Sequence, residues 1–262
     1  MRLLLYSKHL RIGLEGDYIS KFNHEYDRIC GIIRLTYEQK KDECHRIFDF
    51  FQRLCTMTDI AFNIFEVEGA RIPYYVCSLT LRNYLEMQAC LLEGAYHSAA
   101  RSLRWLFEIN VVGTTACVDA SLLDQQYSSG PIDLEEFERL LAKVDEEKLT
   151  IGRGKRKKIF DQFSLPSDDL MLLYSKLCKY VHLSRISFDK TLDWPNLQYI
   201  PEKFDEIFQI ALKTLDLIFW MESRMLICFD KGTAQALKYF LRDDDGLNQY
   251  LPMAVSLISS LK

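Results

Sequence analysis

The feature that most constrains this chain is the spacing of its apolar residues, which recur at steps of three and four far more often than at steps of two. That spacing lines up one face of an α-helix, whereas the strands of a half-buried sheet alternate at steps of two. Only 6 prolines and 11 glycines interrupt the 262 residues. The sequence therefore predicts an all-α protein that folds as an antiparallel helical bundle.

Turn and capping residues divide the chain into helices of one domain. We expect a single all-α domain over 1–262, with an N-terminal helical layer over 1–70, a core over 75–229 and C-terminal helices over 233–262. A tight antiparallel hairpin of two core helices is predicted around Gly94. The predicted helices span about 20–35, 37–66, 75–92, 96–112, 133–147, 166–182, 201–229 and 247–261, with a break in the helical pattern at 152–158.

Composition and charge indicate which partners and which cellular location to expect. The net charge is −4, so no global field attracts nucleic acid or anionic lipid, and any phosphate binding has to be local. The 8 cysteines lie mostly in apolar helical stretches without a CxxC pair, which favours reduced thiols over disulfides. Residues 207–229 carry four charges, which a membrane span rarely holds. We expect a cytoplasmic protein without membrane contact.

One helix of the hairpin, YHSAARSLRWLFE, places four ionisable side chains on one face. They are His97, Arg101, Arg104 and Glu108, at steps of four, three and four. This stripe fits either the exposed side of an amphipathic helix, with His97 nearest to solvent, or a charged seam that faces the bundle. The apolar residues from Trp105 to Val112 favour the second interpretation. In a buried seam the arginines need partners, because an unpaired buried charge is costly.

A later helix ends in YSKLCKYVHLS, and its last turn carries another polar pair. Cys178 and His182 stand four residues apart, the spacing of half a zinc site, but no second pair with matching spacing is evident. His182 also suits the C-terminal turn of a helix, where the dipole and the last carbonyl groups favour a histidine. The glycine-rich motifs that cradle nucleotide phosphates are absent from the sequence. We therefore expect neither a metal nor a cofactor.

Together, LLEGAYHSAARSLRWLFE and YSKLCKYVHLS resemble the HEPN-type helical domains of archaea and bacteria, named for higher eukaryotes and prokaryotes nucleotide-binding. The resemblance covers about residues 75–229, which makes that range a HEPN-like core with additional N-terminal helices. It implies an up-and-down helical bundle that forms a twofold homodimer. It also implies ties to RNA cleavage and to toxin or defence systems, with an antitoxin-like protein as a partner.

The resemblance further implies which residues act on RNA. Active members carry an arginine and a histidine on one helix and, without metal, help a ribose 2′-hydroxyl attack the adjacent phosphate. His182 matches that histidine, but Lys176 and Lys179 precede it and no arginine stands in this window. Lysine can neutralise a phosphate, yet it lacks the planar fork of arginine. We expect Arg101 or Arg104 to supply the guanidinium group beside His182.

The segment GRGKRKK, 152–158, carries five positive charges within six residues. Such local basic charge beside glycine suits the phosphate backbone of a nucleic acid. The alternative is a solvated loop whose charge is balanced by the acidic residues just before it. The predicted phosphate contacts are Arg153, Lys155, Arg156, Lys157 and Lys158, together with Arg101 and Lys179.

Two hypotheses for function follow. In the first, the chain is a HEPN-like RNA-binding protein or divergent metal-independent ribonuclease, with His182 as acid and base and Arg104 and Lys176 as phosphate contacts. In the second, it is a non-catalytic interaction or dimerisation module whose buried polar network fixes the packing. The predicted network comprises Arg101, Arg104, Glu108 and Glu222, with His182 completing it.

Overall fold

The computed structural model describes seven helices and the loops beside them. The described ranges are 71–92, 95–123, 127, 129–145, 151–181, 201–229 and 251–260, besides single helical positions between His24 and Thr56 and between Gln235 and Tyr239. The helices are α1 (Arg71–Leu92), α2 (Tyr96–Val118), α3 (Leu134–Asp145), α4 (Arg153–Gln162), α5 (Ser167–Val181), α6 (Pro201–Phe229) and α7 (Pro252–Ser260), with a short 3-10 turn at Ala120–Leu122. These ranges contain no strand, and the predicted all-α fold is confirmed.

The predicted division into an N-terminal layer, a core and C-terminal helices stays a prediction. Most residues of 1–70 lie outside the described ranges, and so do the full spans of the helices predicted over 20–35 and 37–66. Within 233–262 the structure describes α7, which is shorter than the predicted helix over 247–261.

Capping and proline signals of the sequence set most helix boundaries. Asp133 accepts a hydrogen bond from the backbone N of Glu136 at 2.8 Å, which caps α3 as its spacing predicts. Pro201 occupies the first turn of α6, where proline is favoured. The described part of α1 runs from Arg71 and so includes Pro73, ahead of the predicted start at 75.

The predicted break in the helical pattern at 152–158 is wrong, because helix α4 begins at Arg153 and includes the rest of that segment. Neither a glycine inside a helix nor crowded positive charge at its N-terminus favours this conformation. Tertiary packing decides instead, since one side of α4 is buried through Arg156 and Phe160. The Phe160 ring meets the ring of Phe107 on α2 edge to face, with centroids 5.9 Å apart.

Helix α2 is the centre of the bundle, and α1, α5 and α6 pack around it. The backbone N of Ala95 bonds to the carbonyl of Cys90 at 2.8 Å and closes the turn from α1 to α2, so the predicted hairpin is confirmed. Gly94 itself lies outside the described residues. The two helices come very close at Gly113, where an added Cβ atom would lie 2.8 Å from Cγ2 of Val76.

One face of helix α6 is buried in the bundle. Its buried members are Phe208, Ala211, Leu215, Ile218, Glu222 and Met225. The carboxylate of Asp216 accepts hydrogen bonds from the backbone N atoms of Met253 and Ala254, each at 3.1 Å, and so caps α7 from another helix. Burial raises the pKa of Asp216 to about 6, although these backbone bonds oppose the change. No helix in the described ranges is long and apolar enough to cross a membrane.

Candidate functional site

Where α2 packs against α5, polar contacts link the two helices. The hydroxyl of Tyr174 donates to Oε1 of Glu108, and Nε of Arg104 donates to the same oxygen at 3.3 Å. The guanidinium carbon of Arg104 also lies 5.7 Å from the centre of the Tyr174 ring. The side chains of Arg104 and Glu108 are only 20% and 22% exposed. One carboxylate oxygen therefore joins a cation of its own helix to a phenol of the neighbouring helix.

Helix α4 adds a second guanidinium group to this contact. The guanidinium carbon of Arg156 lies 3.5 Å from the centre of the Tyr174 ring, well within cation–π range. Nη2 of Arg156 donates to the carbonyl oxygen of Ile151 at 2.9 Å, and the residue is only 4% exposed. The predicted phosphate contact at Arg156 is therefore corrected to a packing role. Arg104, Glu108, Tyr174 and Arg156 together form what we call the seam cluster.

The seam cluster keeps its donors protonated at neutral pH. Burial, followed by the hydrogen bond to Glu108, raises the pKa of Tyr174, so the phenol keeps its proton. Burial lowers the pKa of Arg104, but the charge of Glu108 and the contact with Tyr174 together raise it by more. An anion that reached this contact would meet a cationic guanidinium group already oriented by a carboxylate.

The last turn of α5 docks on the first turn of α2. Nδ1 of His97 contacts the backbone carbonyl oxygen of Tyr180, and it acts as the donor because a carbonyl only accepts. His97 is thus half-buried and bonded, which corrects its expected place nearest to solvent. The described part of α5 ends at Val181, and His182 lies outside the described residues. The predicted meeting of His182 with Arg104 stays a prediction.

The other cations predicted on α2 and α5 lie on the surface. The prediction that Arg101 belongs to a buried network is wrong, because its side chain is exposed. Of the two arginines, Arg104 lies against the Tyr174 ring. Lys176 and Lys179 are exposed on α5.

The basic segment of α4 is also exposed, apart from Arg156. Its exposed members are Arg153, Lys155, Lys157 and Lys158. Nζ of Lys157 bonds to a carboxylate oxygen of Asp168 at 2.6 Å, which raises the pKa of the amine and lowers that of the carboxyl group. Nζ of Lys155 donates to the backbone carbonyl of Leu123. Two of the four predicted phosphate contacts therefore also hold α4 in place.

The remaining member of the predicted network, Glu222, belongs to a different contact. Its carboxyl group is fully buried on α6 and interacts with the Thr80 hydroxyl and the Cys77 thiol of α1. Nδ2 of Asn110 on α2 donates to Oγ1 of Thr80 at 3.0 Å. Asn110 and Glu108 are two residues apart and project to different sides of α2, so the predicted single network is wrong. Cys77, Thr80, Asn110 and Glu222 form what we call the core cluster.

The role of Tyr174 as the link between α2, α4 and α5 was not predicted from the sequence. Its place on one helical face with Cys178 and His182 was visible, and a tyrosine there fits plain packing equally well. The acceptor of its hydroxyl, Glu108, lies 66 residues away along the chain. Only the folded arrangement of α2 and α5 brings the phenol and the carboxylate together.

Comparison of this chain with known protein families, with characterised proteins and with solved structures finds no match. Within the part of the chain that the structure describes, no three His, Cys, Asp or Glu side chains come close enough together to hold a metal ion. That finding does not extend to the pair of Cys178 and His182, because His182 lies outside the described residues. The HEPN resemblance stays an expectation.

Proposed function

We propose that this chain is an RNA-binding helical domain of the HEPN type, which holds phosphates along the contact between α2 and α5 and on α4. The observation that carries the proposal is the group of exposed cations on α2, α4 and α5. The Tyr180 carbonyl contacts His97, about two helical turns before Arg104. Because α5 runs from Tyr174, beside Glu108 and Arg104, to Tyr180, beside His97, this docking leads along α2 away from Arg104. The proposed approach of His182 to an arginine therefore rests on the resemblance alone.

Exposed cations on three helices support local phosphate binding. They are Arg101 on α2, Lys179 on α5, and Arg153 and Lys158 on α4. A net charge of −4 is compatible with such a surface, because phosphate contacts need positive charge only where the nucleic-acid backbone runs. The seam cluster supports the surface by fixing the three helices against one another.

A finer form of the proposal is a metal-independent ribonuclease of toxin or defence type, acting as a homodimer with an antitoxin-like partner. His182 takes the proton of a ribose 2′-hydroxyl, and the resulting oxygen attacks the adjacent phosphorus. The bond to the 5′-oxygen then breaks, and that oxygen leaves with a proton. Arg104 and Lys176 balance the negative charge that develops on the phosphate. This form rests on the resemblance and on His182.

Removing two exposed cations of α4 tests RNA binding. In Arg153→Gln combined with Lys158→Gln, we expect the affinity for a labelled single-stranded RNA to fall roughly tenfold at about 0.1 M salt. The slope of log affinity against log salt should become shallower by about 1.4, since each phosphate contact with a single strand contributes about 0.7. Fluorescence anisotropy titrations at several salt concentrations measure both quantities.

A matched control is Lys213→Gln, which removes an exposed lysine of α6. It should leave the affinity and the salt slope unchanged. A loss as large as that of the α4 double variant would mean that RNA responds only to total charge, and the proposed surface would then be wrong.

The ribonuclease form has its own test. Wild-type protein in the presence of a chelator should cleave RNA to products with a 2′,3′-cyclic phosphate, and His182→Ala should not. Gel electrophoresis and mass spectrometry of the products decide this. RNA that the wild type binds and leaves uncut would refute the nuclease form while keeping the binding form.

The second candidate function is a non-catalytic interaction or dimerisation module. The contacts of the seam cluster favour it, because they are made between helices of the bundle. Tyr174 and Arg156 bind each other and their helices rather than presenting polar groups to a ligand. In this case Arg104→Ala lowers the melting temperature and the wild type binds no RNA. An unchanged melting temperature together with lost RNA binding would contradict the module and favour the first candidate.

A further inference from the structure

The core cluster buries a carboxyl group that neither the seam cluster nor the proposed RNA surface uses. Glu222 has no exposed area, and neither of its oxygens makes a hydrogen bond of ordinary geometry. Oδ1 of Asn110 is likewise buried without such a bond. Burying a charged carboxylate in these surroundings destabilises the fold, whereas a protonated carboxyl group is neutral and can donate a hydrogen bond.

Uncharged groups of α1 face Glu222, and one of them is bonded in turn to α2. Helix α1 contributes the Thr80 hydroxyl and the Cys77 thiol, and the thiol is the titratable group on that side. Nδ2 of Asn110 on α2 donates to Oγ1 of Thr80 and to the carbonyl of Leu106, each at 3.0 Å, so α2 is tied to the same threonine. No cation among these groups can stabilise a carboxylate.

The charged groups nearest along α6 are directed elsewhere. Arg224 is half-buried and its charge acts on the Cys228 thiol, while Asp216 caps α7. No charged side chain from α5 or α7 contributes to the pKa of Glu222. The carboxyl group therefore titrates under the influence of burial and of its two neighbours on α1.

Burial raises the pKa of Glu222 to about 8, and the hydrogen bonds from Thr80 and Cys77 lower it by less. A glutamate in an unfolded chain titrates at about 4.3. The folded state therefore holds the proton more tightly than the unfolded state does. The stability from that proton is fully present below the unfolded value and is lost as the pH rises through the folded value.

We propose that Glu222 is a proton-operated switch in the core: while it is protonated it holds α1 against α2 and α6, and when it loses its proton α1 loosens. The proton passes to hydroxide in solvent, and the carboxylate left behind needs water, which reaches it only when α1 moves away. Helix α1 is the element that moves because both polar side chains that act on the carboxyl group, Thr80 and Cys77, belong to it. This switch goes beyond RNA binding and does not depend on it.

Hydrogen exchange measured by mass spectrometry tests the switch in the full chain. After correction for the intrinsic pH dependence of exchange, the opening of α1 in the wild type should increase about tenfold per pH unit up to about pH 7, or roughly hundredfold between about pH 5 and pH 7. Glu222→Gln keeps the shape and removes the titration, so its α1 peptides should show no such increase. Peptides of α5 serve as an internal reference and should change less than those of α1.

Two results would overturn the proposal. One is the same hundredfold increase in Glu222→Gln, which would assign the effect to another group. The other is an equal increase in α1 and α5, which would mean that the whole bundle opens rather than α1.

A second measurement keeps the proposal falsifiable if Glu222→Gln does not fold. Carbon NMR of the glutamate side-chain carboxyl groups in wild-type protein should contain one resonance with its midpoint far above the ordinary range. Cys77→Ala should raise that midpoint further, because the thiol hydrogen bond lowers the pKa of Glu222. If every glutamate titrates near about 4.3, no switch exists.

Discussion

Replacing Tyr174 by phenylalanine removes one hydroxyl group from the centre of the seam cluster and leaves the ring in place. The ring still packs against Phe107, at 5.2 Å between centroids, and still lies under Arg156. A hydrogen bond to a charged acceptor contributes about 1.5–3 kcal/mol. The acceptor Glu108 is 22% exposed, so water replaces part of the lost bond. We therefore expect the free energy of unfolding to fall by about 1.5 kcal/mol, the low end of that range.

Urea denaturation followed by circular dichroism measures this loss. Tyr75→Phe is the matched control, because Tyr75 is 39% exposed on α1, and its change should stay within about 0.5 kcal/mol. Combining Tyr174→Phe with Glu108→Gln should give a coupling energy of about 0.5–1 kcal/mol. If Tyr174→Phe costs no more than Tyr75→Phe, or if the two changes in the pair are additive, the phenol does not hold the two helices together.

Three further predictions concern packing, capping and pH. Gly113→Ala should lower the free energy of unfolding by about 1–3 kcal/mol, because its Cβ would lie 2.8 Å from Val76, and Val76→Ala should relieve part of that loss in the double variant. Asp133→Ala should cost about 1 kcal/mol in thermal unfolding, since it removes the 2.8 Å bond to the backbone N of Glu136. The folded pKa of Asp216, about 6, lies above its unfolded value, so the stability from its proton is full below about pH 3.9 and is lost as the pH rises through about 6. Asp216→Asn should abolish that part of the pH dependence of the melting temperature, and an unchanged slope would mean that another group causes it.

Helix boundaries were predictable because their signals are local. Asp133 caps a backbone N three residues away, and Pro201 needs only to stand in a first turn. Helix α4 was not predictable in this way, since its own residues, with Gly154 and several cations near the N-terminus, disfavour a helix. The burial of Phe160 against Phe107 stabilises it, and that contact joins parts of the chain that are far apart in sequence.

Several residues of the candidate site could be predicted from the sequence, but the contacts between them could not. The stripe on α2 was visible from its spacing, but the direction in which α5 crosses α2 decides that Arg104 is half-buried while Arg101 stays exposed. On the same helix, Glu108 contacts Tyr174 of α5, whereas Asn110, two residues later, bonds to Thr80 of α1. Side chains one or two residues from one another on a helix can therefore serve different contacts.

By itself the sequence determined the helical periodicity of this protein, the starts of helices with a local signal such as Asp133 or Pro201, and the residue types on each face, because these depend on interactions within a few residues. The tertiary structure decided which polar groups meet: the phenol of Tyr174 with Glu108, the guanidinium of Arg156 with the Tyr174 ring, and Asp216 with the start of α7. It also decided that Glu222 is enclosed by uncharged groups. The physical reason is that burial and hydrogen bonding at these positions depend on how whole helices cross, and no local pattern encodes that crossing.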